Sequence, residues 1–222
     1  MTTSGTTDFN LNIDDLVEEA YERCGIRMTN GYQLSSARRS LNLLFLDWAN
    51  RGLNLWTIEE RIFPLPANAN EITLDPDTVN VLSAVIRDFS QSPYTDITID
   101  RISREEYLNI PDKTTTARPA QYYVQRANTF KVFLYPAAQG SVYSLVYYRI
   151  RRIQDAGEYT NTTDVNFRFL PCLVSGLAYQ LALKYAPERL VLLKQIYEED
   201  FNRAALEDRD TASLTLVPDL GV

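Results

Sequence analysis

The chain has 222 residues, a net charge of −7 and no histidine, with 45% hydrophobic and 23% charged residues. This balance is typical of a soluble protein with one or two domains. The absence of histidine excludes Ser-His-Asp and Cys-His catalysis and histidine metal sites, and neither G-x-x-x-x-G-K-S/T nor G-x-G-x-x-G occurs. The sequence therefore predicts no cofactor, no metal site and no enzyme of these classes.

The acidic charge also argues against a module whose main task is to grip duplex DNA, because such a module needs a basic patch. It is compatible with a channel wall along which DNA slides without sequence-specific binding. The chain has no apolar run of about 20 residues and no signal-peptide pattern in its first residues, MTTSGTTDFN. We therefore expect no membrane insertion.

The first predicted helix follows residues 1–11, a Thr-rich lead-in, and a possible cap at Asn12. Gly25 should end it. Its apolar residues recur at helical spacing: Ile13, Leu16, Val17, Ala20, Tyr21 and Cys24. This is the clearest amphipathic pattern in the chain.

A second helix is predicted from about Ser35 to Arg51. Leu43 and Leu46 lie off its core stripe, and a helix that is apolar on more than one side is deeply buried or contacts another subunit. The stripe itself comprises Ala37, Leu41, Leu44, Phe45 and Trp48. Leu43 and Leu46 are therefore candidate interface residues.

Short β-prone runs replace helical spacing in the middle of the chain. The predicted strands are 56–65, 71–74, 79–88, 95–102, 122–125, 131–135 and 141–150. The fifth and sixth should form a hairpin. Ser103 and Glu106 form a capping-box pattern that predicts a short helix through Leu108.

Two groups in or beside this region leave alternatives open. Arg149, Arg151 and Arg152 could bind nucleic acid, pair with acidic helices of a neighbouring subunit, or protect a strand edge. Trp48 and Trp56 flank the change from helix to strand. They could pack between domains or stack on a sugar.

After a polar linker at residues 154–163, two helices should follow, hinged at Ala186 and Pro187. The second is expected to carry one stripe of Leu190, Lys194, Tyr197, Phe201 and Ala204. Glu198, Glu199 and Asp200 are either a solvated helix face or part of an acidic channel surface or subunit contact. Cys24 and Cys172 lie on predicted apolar stripes and should be buried free thiols.

Together these elements predict an α+β protein: a discontinuous α-helical bundle with an inserted antiparallel β domain. The helical domain would span residues 12–54 and 164–210, and the β domain residues 55–153. Residues 211–222 would form a C-terminal arm whose candidate interface residues are Leu214, Leu216 and Val217. Such an arm could fill a neighbour's groove or extend its sheet.

Two stretches carry a resemblance to a known family: residues 175–182, SGLAYQLA, with the acidic helix that follows them, and residues 47–56, DWANRGLNLW. They resemble head-to-tail adaptor proteins of short-tailed bacteriophages, also called tail tubular protein A. The resemblance implies a structural virion protein, made in the host cytoplasm, that sits at the head–tail junction. It implies a ring of about a dozen copies between the portal protein and a tail nozzle resembling tail tubular protein B.

In such a ring the helical domain would border the channel used in DNA ejection, and the arm would reach toward the portal. The β domain would contact the nozzle or hold tail fibres. One alternative is a carbohydrate-binding or tail-fibre-attachment module built on the Tyr-rich β region. Another is a hydrolase that uses paired carboxylates such as Glu59 and Glu60.

Overall fold

The computed structural model describes residue 5 and residues 11–51, 55–90, 92–158 and 160–208. Both helices and sheets occur among them, which confirms the α+β class. The predicted arm, residues 211–222, lies outside the described residues, as do Leu214, Leu216 and Val217.

The described part of the chain contains five α-helices and ten strands. The helices are α1 (Ile13–Cys24), α2 (Gly31–Arg51), α3 (Arg104–Leu108), α4 (Leu170–Tyr185) and α5 (Leu190–Glu207). The strands are β1 (Ile58–Pro64), β2 (Glu71–Thr73), β3 (Thr78–Asp88), β4 (Thr95–Thr98), β5 (Asp100–Arg101), β6 (Thr116–Ala117), β7 (Gln121–Gln125), β8 (Lys131–Tyr135), β9 (Ala137–Ala138) and β10 (Tyr143–Arg151).

The chain divides into two compact units. One draws on residues 1–56 and 153–222, and the other comprises residues 57–152. We call them the helical unit and the β unit.

Helix α4 lies at the centre of the helical unit, where it contacts α1, α2 and α5. Small residues allow this close packing. A Cβ atom at Gly176 would lie 2.9 Å from both Leu44 Cδ2 and Tyr197 Cε2, so α2 and α5 approach α4 at a point where only glycine fits. The predicted stripes of α1 and α2 are both buried against this centre, which confirms them.

The helix starts differ from the predictions in their capping. Asn12 precedes α1, but its side chain makes no capping bond, and the Ile13 amide donates instead to the Asn161 carbonyl at 3.1 Å. Helix α2 begins at Gly31 rather than Ser35. Asn30 Oδ1 accepts from the Gln33 amide at 2.9 Å, and this bond stabilises a first turn before the predicted start.

Trp48 of α2 joins the two parts of the helical unit. Its indole Nε1 donates to the Tyr197 hydroxyl of α5 at 2.9 Å, and both side chains are buried. The Trp56 ring packs 4.6 Å from the Phe169 ring, and its Nε1 donates to the Asp164 carbonyl. Both tryptophans therefore make packing contacts inside the helical unit, which argues against the sugar-stacking alternative.

The two cysteines are buried free thiols, as predicted. The Cys24 thiol donates to the Ala178 carbonyl at 3.2 Å, which links α1 to α4. Burial raises the pKa of both thiols. They are consequently protonated and shielded at neutral pH.

Two four-stranded sheets share the core of the β unit. Their strand orders are β1-β10-β3-β4 and β2-β8-β7-β5. The pairing is antiparallel, as predicted, except that β5 pairs with β7 and β6 with β9 in parallel. The predicted hairpin of β7 and β8 and the Ser103–Glu106 capping box are both confirmed.

Arg149 is the central polar residue of the β unit, with only 1% of its surface exposed. Its guanidinium donates to Glu59 Oε1 at 2.7 Å, to Asp77 Oδ1 at 2.6 Å and to the Thr78 hydroxyl at 2.7 Å. β10 lies inside its sheet rather than at an edge. Pairing with a neighbouring subunit and strand-edge protection are therefore both wrong for Arg149, because its partners lie on adjacent parts of the same unit.

The Trp48–Tyr197 hydrogen bond generates a stability prediction. Tyr197→Phe should lower the free energy of unfolding by about 1–2 kcal/mol, because the buried indole N–H loses its partner. Urea unfolding followed by fluorescence measures this difference. Tyr32→Phe is the matched control, since Tyr32 is exposed, and equal losses in the two variants would contradict the assigned role.

The carboxylates around Arg149 generate a pH prediction. Burial raises the pKa of Asp77, but the hydrogen bonds and charge of Arg149 outweigh it and hold that pKa below its ordinary value. Asp77 therefore stabilises the fold above its unfolded pKa of about 3.9, and this stabilisation disappears as pH falls through the lowered folded value. Urea midpoints measured between pH 6 and 2.5 should fall more steeply in the wild type than in Asp77→Asn. Parallel curves would contradict the prediction.

Candidate subunit interface

Helix α2 has a second apolar face that the described fold leaves uncovered. Leu43 is 60% exposed and Leu46 is 53% exposed, and Tyr32 is also exposed. Exposed residues follow one another at positions 32, 35, 39, 43, 46 and 50, steps of three and four that keep them on one side of the helix. We call this side the α2 outer face; it includes both candidates that the sequence indicated on α2.

Helix α5 has a comparable outer face. Val191 is 80% exposed and Leu192 is 60% exposed, and exposed residues continue at 196, 199, 203 and 206. The expected stripe of α5 is partly wrong, because Lys194 is exposed and Leu193 is buried in its place. The run of apolar residues at the start of α5 points in all directions, so periodicity alone did not identify the buried side.

Glu198 of α5 faces Arg51 at the end of α2. Its two carboxylate oxygens accept from Arg51 Nη1 and Nη2 at 3.0 and 3.1 Å. Arg51 also donates to Asp47 at 2.8 Å and lies over the Tyr197 ring, 5.0 Å from its centre. Glu198 therefore has a bidentate partner within its own chain.

Glu199 and Asp200, the two residues that follow Glu198, point away from Arg51. This is required by the rotation of about 100° per residue in an α-helix. Glu199 is exposed on the α5 outer face, where it accepts from Gln195 at 2.9 Å. Asp200 is half-buried and lies 3.8 Å from Arg203. The structure does not bring the three predicted acidic residues onto one surface, and Glu199 alone of the three joins the exposed apolar residues.

A groove that sequence reasoning missed lies between α1 and the start of α4, with a volume of about 440 Å³. Its apolar lining comprises Leu11, Phe167, Leu170, Pro171 and Val174. Its rim carries Asp15, Glu19 and Arg23, of which the last two form an ion pair at 2.9 Å. Phe167 of the apolar lining is 68% exposed, but it stands in an ordinary mixed segment between Asn166 and Arg168, and no sequence pattern indicated its position in a groove.

The arginine cluster of β10 has partners inside the β unit. Arg151 lies 4.0 Å from Glu59, and Arg152 donates to the Pro76 carbonyl. Arg149 is buried and paired with carboxylates, whereas Arg152 is exposed. The three guanidinium groups therefore do not lie together on one open basic surface of the kind that phosphates require.

Aromatic side chains of the β unit occur in two settings. Tyr107 of α3 packs on Tyr123 and Phe133, with ring centres 5.6 and 5.3 Å away, so these rings largely cover one another. Phe89 and Tyr94 instead form an exposed pair, 5.7 Å apart, beside the connection from β3 to β4. Phe63 and Tyr148 of the β unit are exposed as well, and the Arg87 guanidinium lies over the Tyr94 ring, 4.4 Å from its centre.

The described residues offer no group of three or more acidic or cysteine side chains placed to hold a metal ion. Within the same residues, every helix is too short or too polar to cross a bilayer. The described part of the helical unit presents two outer faces with apolar residues and isolated charges, and one apolar groove.

Comparison with known proteins identifies the family. No curated protein matches the sequence. A family model described as SU10 adaptor protein matches residues 9–219, which is nearly the whole chain. This match confirms the predicted resemblance to phage adaptors, and the chain belongs to the SU10 adaptor protein family, a family of phage head-to-tail adaptors.

Proposed function

We propose that this protein is a non-enzymatic virion component that forms a ring of about a dozen copies between the portal and the tail nozzle. The observation that carries the proposal is the pair of outer faces on α2 and α5. A ring needs two different, complementary surfaces on every copy, because each subunit contacts the next one head to tail. In support, the helical unit has an exposed face with apolar residues on each of two different helices, α2 and α5.

The two outer faces match when their helices run antiparallel. When Arg39 is placed opposite Glu199, the exposed positions of the two outer faces align, because both faces advance in steps of three and four residues. Three pairs then meet: Arg39 with Glu199, Leu43 with Ile196, and Leu46 with Leu192. This contact combines apolar burial with one opposite-charge pair, and the charge pair fixes the register.

We further propose that the helical unit is one domain, residues 12–54 and 164–210, interrupted by a β domain at 55–153. The net charge of −7 suits a helical channel that lets DNA pass without binding its sequence. In the assembled tail, the arm at residues 211–222 would reach toward the portal, which is what the resemblance to adaptors of the tail tubular protein A type implies. The β unit would face the nozzle or tail fibres, and synthesis would take place in the host cytoplasm.

The exposed Phe89–Tyr94 pair favours a second candidate function for the β unit. Exposed aromatic rings bind the apolar faces of sugars and peptide side chains. The alternative is therefore a carbohydrate-binding or tail-fibre-attachment module. Binding of a soluble glycan or fibre fragment that disappears in Phe89→Ala would support it.

The ring proposal is tested by assembly on its template. Purified protein mixed with the portal ring of the same phage should give an additional symmetric ring in averaged electron-microscopy images. The double change Leu43→Asp and Leu46→Asp should lower ring occupancy about tenfold or more, because it places two charges in an apolar contact. Leu108→Asp is the control, since Leu108 is even more exposed than Leu43 and Leu46 but lies in the β unit.

The charge pair provides a second arm of that experiment. Arg39→Glu and Glu199→Arg should each weaken the ring, and the two changes together should restore it. Rings unaffected by the leucine changes, in variants with native circular dichroism, would reject the assigned faces. The absence of any ring from folded wild-type protein at high concentration would reject the adaptor proposal itself.

A further inference from the structure

We propose that Asn30, at the start of α2, is a site of spontaneous covalent modification. Its side chain deamidates by closing a succinimide ring with the backbone nitrogen of Gly31, and the isoaspartate product loosens the contact between α2 and α1. The proposal concerns the single subunit and does not rest on the ring of copies. Three features carry it: a reactive dipeptide, an exposed and oriented side chain, and a hydrogen bond to α1 from the turn that this dipeptide begins.

One asparagine in the sequence precedes a glycine, and it is Asn30, followed by Gly31. Ring closure requires the nitrogen of the following residue to approach the side-chain carbon Cγ. Glycine allows this approach because it lacks the Cβ atom that restricts the backbone. Both residues are exposed, and a Cβ atom built on Gly31 would have no neighbour within 4 Å. The described structure therefore leaves room for the ring and for the water that opens it.

The hydrogen bonds of this turn orient the Asn30 side chain. Its Oδ1 accepts from the Gln33 amide at 2.9 Å, so the side-chain carbonyl is directed toward the amides of the first turn of α2. An N–H donor on this oxygen also stabilises the negative charge that the oxygen gains when a nitrogen attacks Cγ. Gly31 is the first residue of α2, and the amides of a first helical turn have no partner within their helix. The attacking nitrogen is thus not held by the helix.

The reaction needs only solvent as its co-reactant. The Gly31 nitrogen loses its proton to hydroxide and bonds to Cγ of Asn30, and the bond from Cγ to Nδ2 breaks as ammonia leaves with a proton from water. Water then opens the succinimide at one of its two carbonyl groups. Opening at Cγ gives aspartate. Opening at the backbone carbonyl gives isoaspartate, in which the main chain runs through Cβ and Cγ and is longer by one carbon atom.

The two products affect α2 differently. Aspartate keeps an oxygen acceptor at the cap and adds a negative charge, which a helix start favours. Isoaspartate displaces that acceptor and converts the Asn30 backbone carbonyl, which accepts from the Gln33 amide at 3.2 Å, into a free carboxylate. The Gln33 carbonyl in turn accepts from the buried Tyr21 hydroxyl of α1 at 2.9 Å. A displaced first turn therefore weakens a bond between α1 and α2.

Ageing of the full-length protein tests the proposal. After incubation of the folded protein at neutral pH and physiological temperature, peptide mass spectrometry should find deamidation at Asn30 about tenfold faster than at two asparagines of the same sample. Asn166 is the control for capping, since it also caps a helical turn but precedes Phe167. Asn128 is the control for exposure, since it lies exposed between β7 and β8 and precedes a threonine.

A single substitution shows whether the glycine is responsible. Gly31→Ala should slow the reaction at Asn30 about tenfold, because the added methyl group restricts the backbone movement that ring closure needs. The substitution is compatible with the fold, since the new Cβ atom has open space and alanine favours helix. Circular dichroism establishes that the variant is folded.

Urea unfolding measures the structural consequence. The isoaspartate form, isolated by chromatography of the aged protein, should have a midpoint about 0.4 M below that of the unmodified protein, because the cap is lost. Asn30→Asp is the matched control, since it adds the same charge to a normal main chain, and its midpoint should stay close to that of the wild type. In Tyr21→Phe, which lacks the bond to Gln33, isoaspartate formation should lower the midpoint by a smaller amount.

Three results would overturn the proposal. Equal rates at Asn30 and at the two control asparagines would show that the fold protects the site. An unchanged rate in Gly31→Ala would show that the reaction does not pass through a ring with this nitrogen. An isoaspartate form as stable as Asn30→Asp would show that the modification does not reach the contact with α1. None of these results bears on whether a portal template induces a ring of copies, so the two proposals can fail separately.

Discussion

The contact of Trp48 with Tyr197 joins parts of the chain that lie on either side of the β unit in sequence. Beside this buried hydrogen bond of 2.9 Å, Arg51 pairs with Glu198, and Gly176 removes the side chain that would hold α2 and α5 away from α4. This junction holds α2 and α5 against each other and against α4. The junction combines a hydrogen bond, a bidentate ion pair and a close approach at glycine. These contacts give the junction a geometric specificity that apolar packing alone does not provide.

That junction also decides which side chains face outward. Once Leu44 and Trp48 are buried, the helical repeat forces Leu43 and Leu46 to the surface. Once Leu193 and Tyr197 are buried, Leu192 is exposed in the same way. The outer faces are therefore fixed by the core, and their placement on two separate helices supports an association in which each copy uses one face toward each neighbour. In this protein, one side of each of these helices packs in the core of the subunit, and the opposite side is proposed to contact a neighbouring subunit.

Much of the fold was predictable wherever one face of an element is apolar and the other polar. This holds for α1, whose six predicted residues are all buried, and for the hairpin of β7 and β8. Prediction failed at α5, where apolar residues follow one another and Lys194 was placed on the buried side. Prediction also failed at Arg149, because the carboxylates that form ion pairs with this residue are far away in the sequence. Of the candidate site, Leu43 and Leu46 were predictable from periodicity, whereas the groove depends on tertiary packing that no local pattern encodes.

The antiparallel pairing of β1 with β10 has a consequence for folding during synthesis. These are the first and last strands of the β unit, and Ile58 lies opposite Ile150. The ribosome releases α1 and α2 first, but their partners α4 and α5 emerge only after the whole β unit. Once the β unit closes, the open segment between α2 and α4 becomes roughly fivefold shorter, which lowers its loop-closure cost by about 1.4 kcal/mol. Folding of the inserted strands therefore shortens the flexible chain between α2 and α4. As a result, α1 and α2 can pack against α4 and α5 at a lower entropic cost.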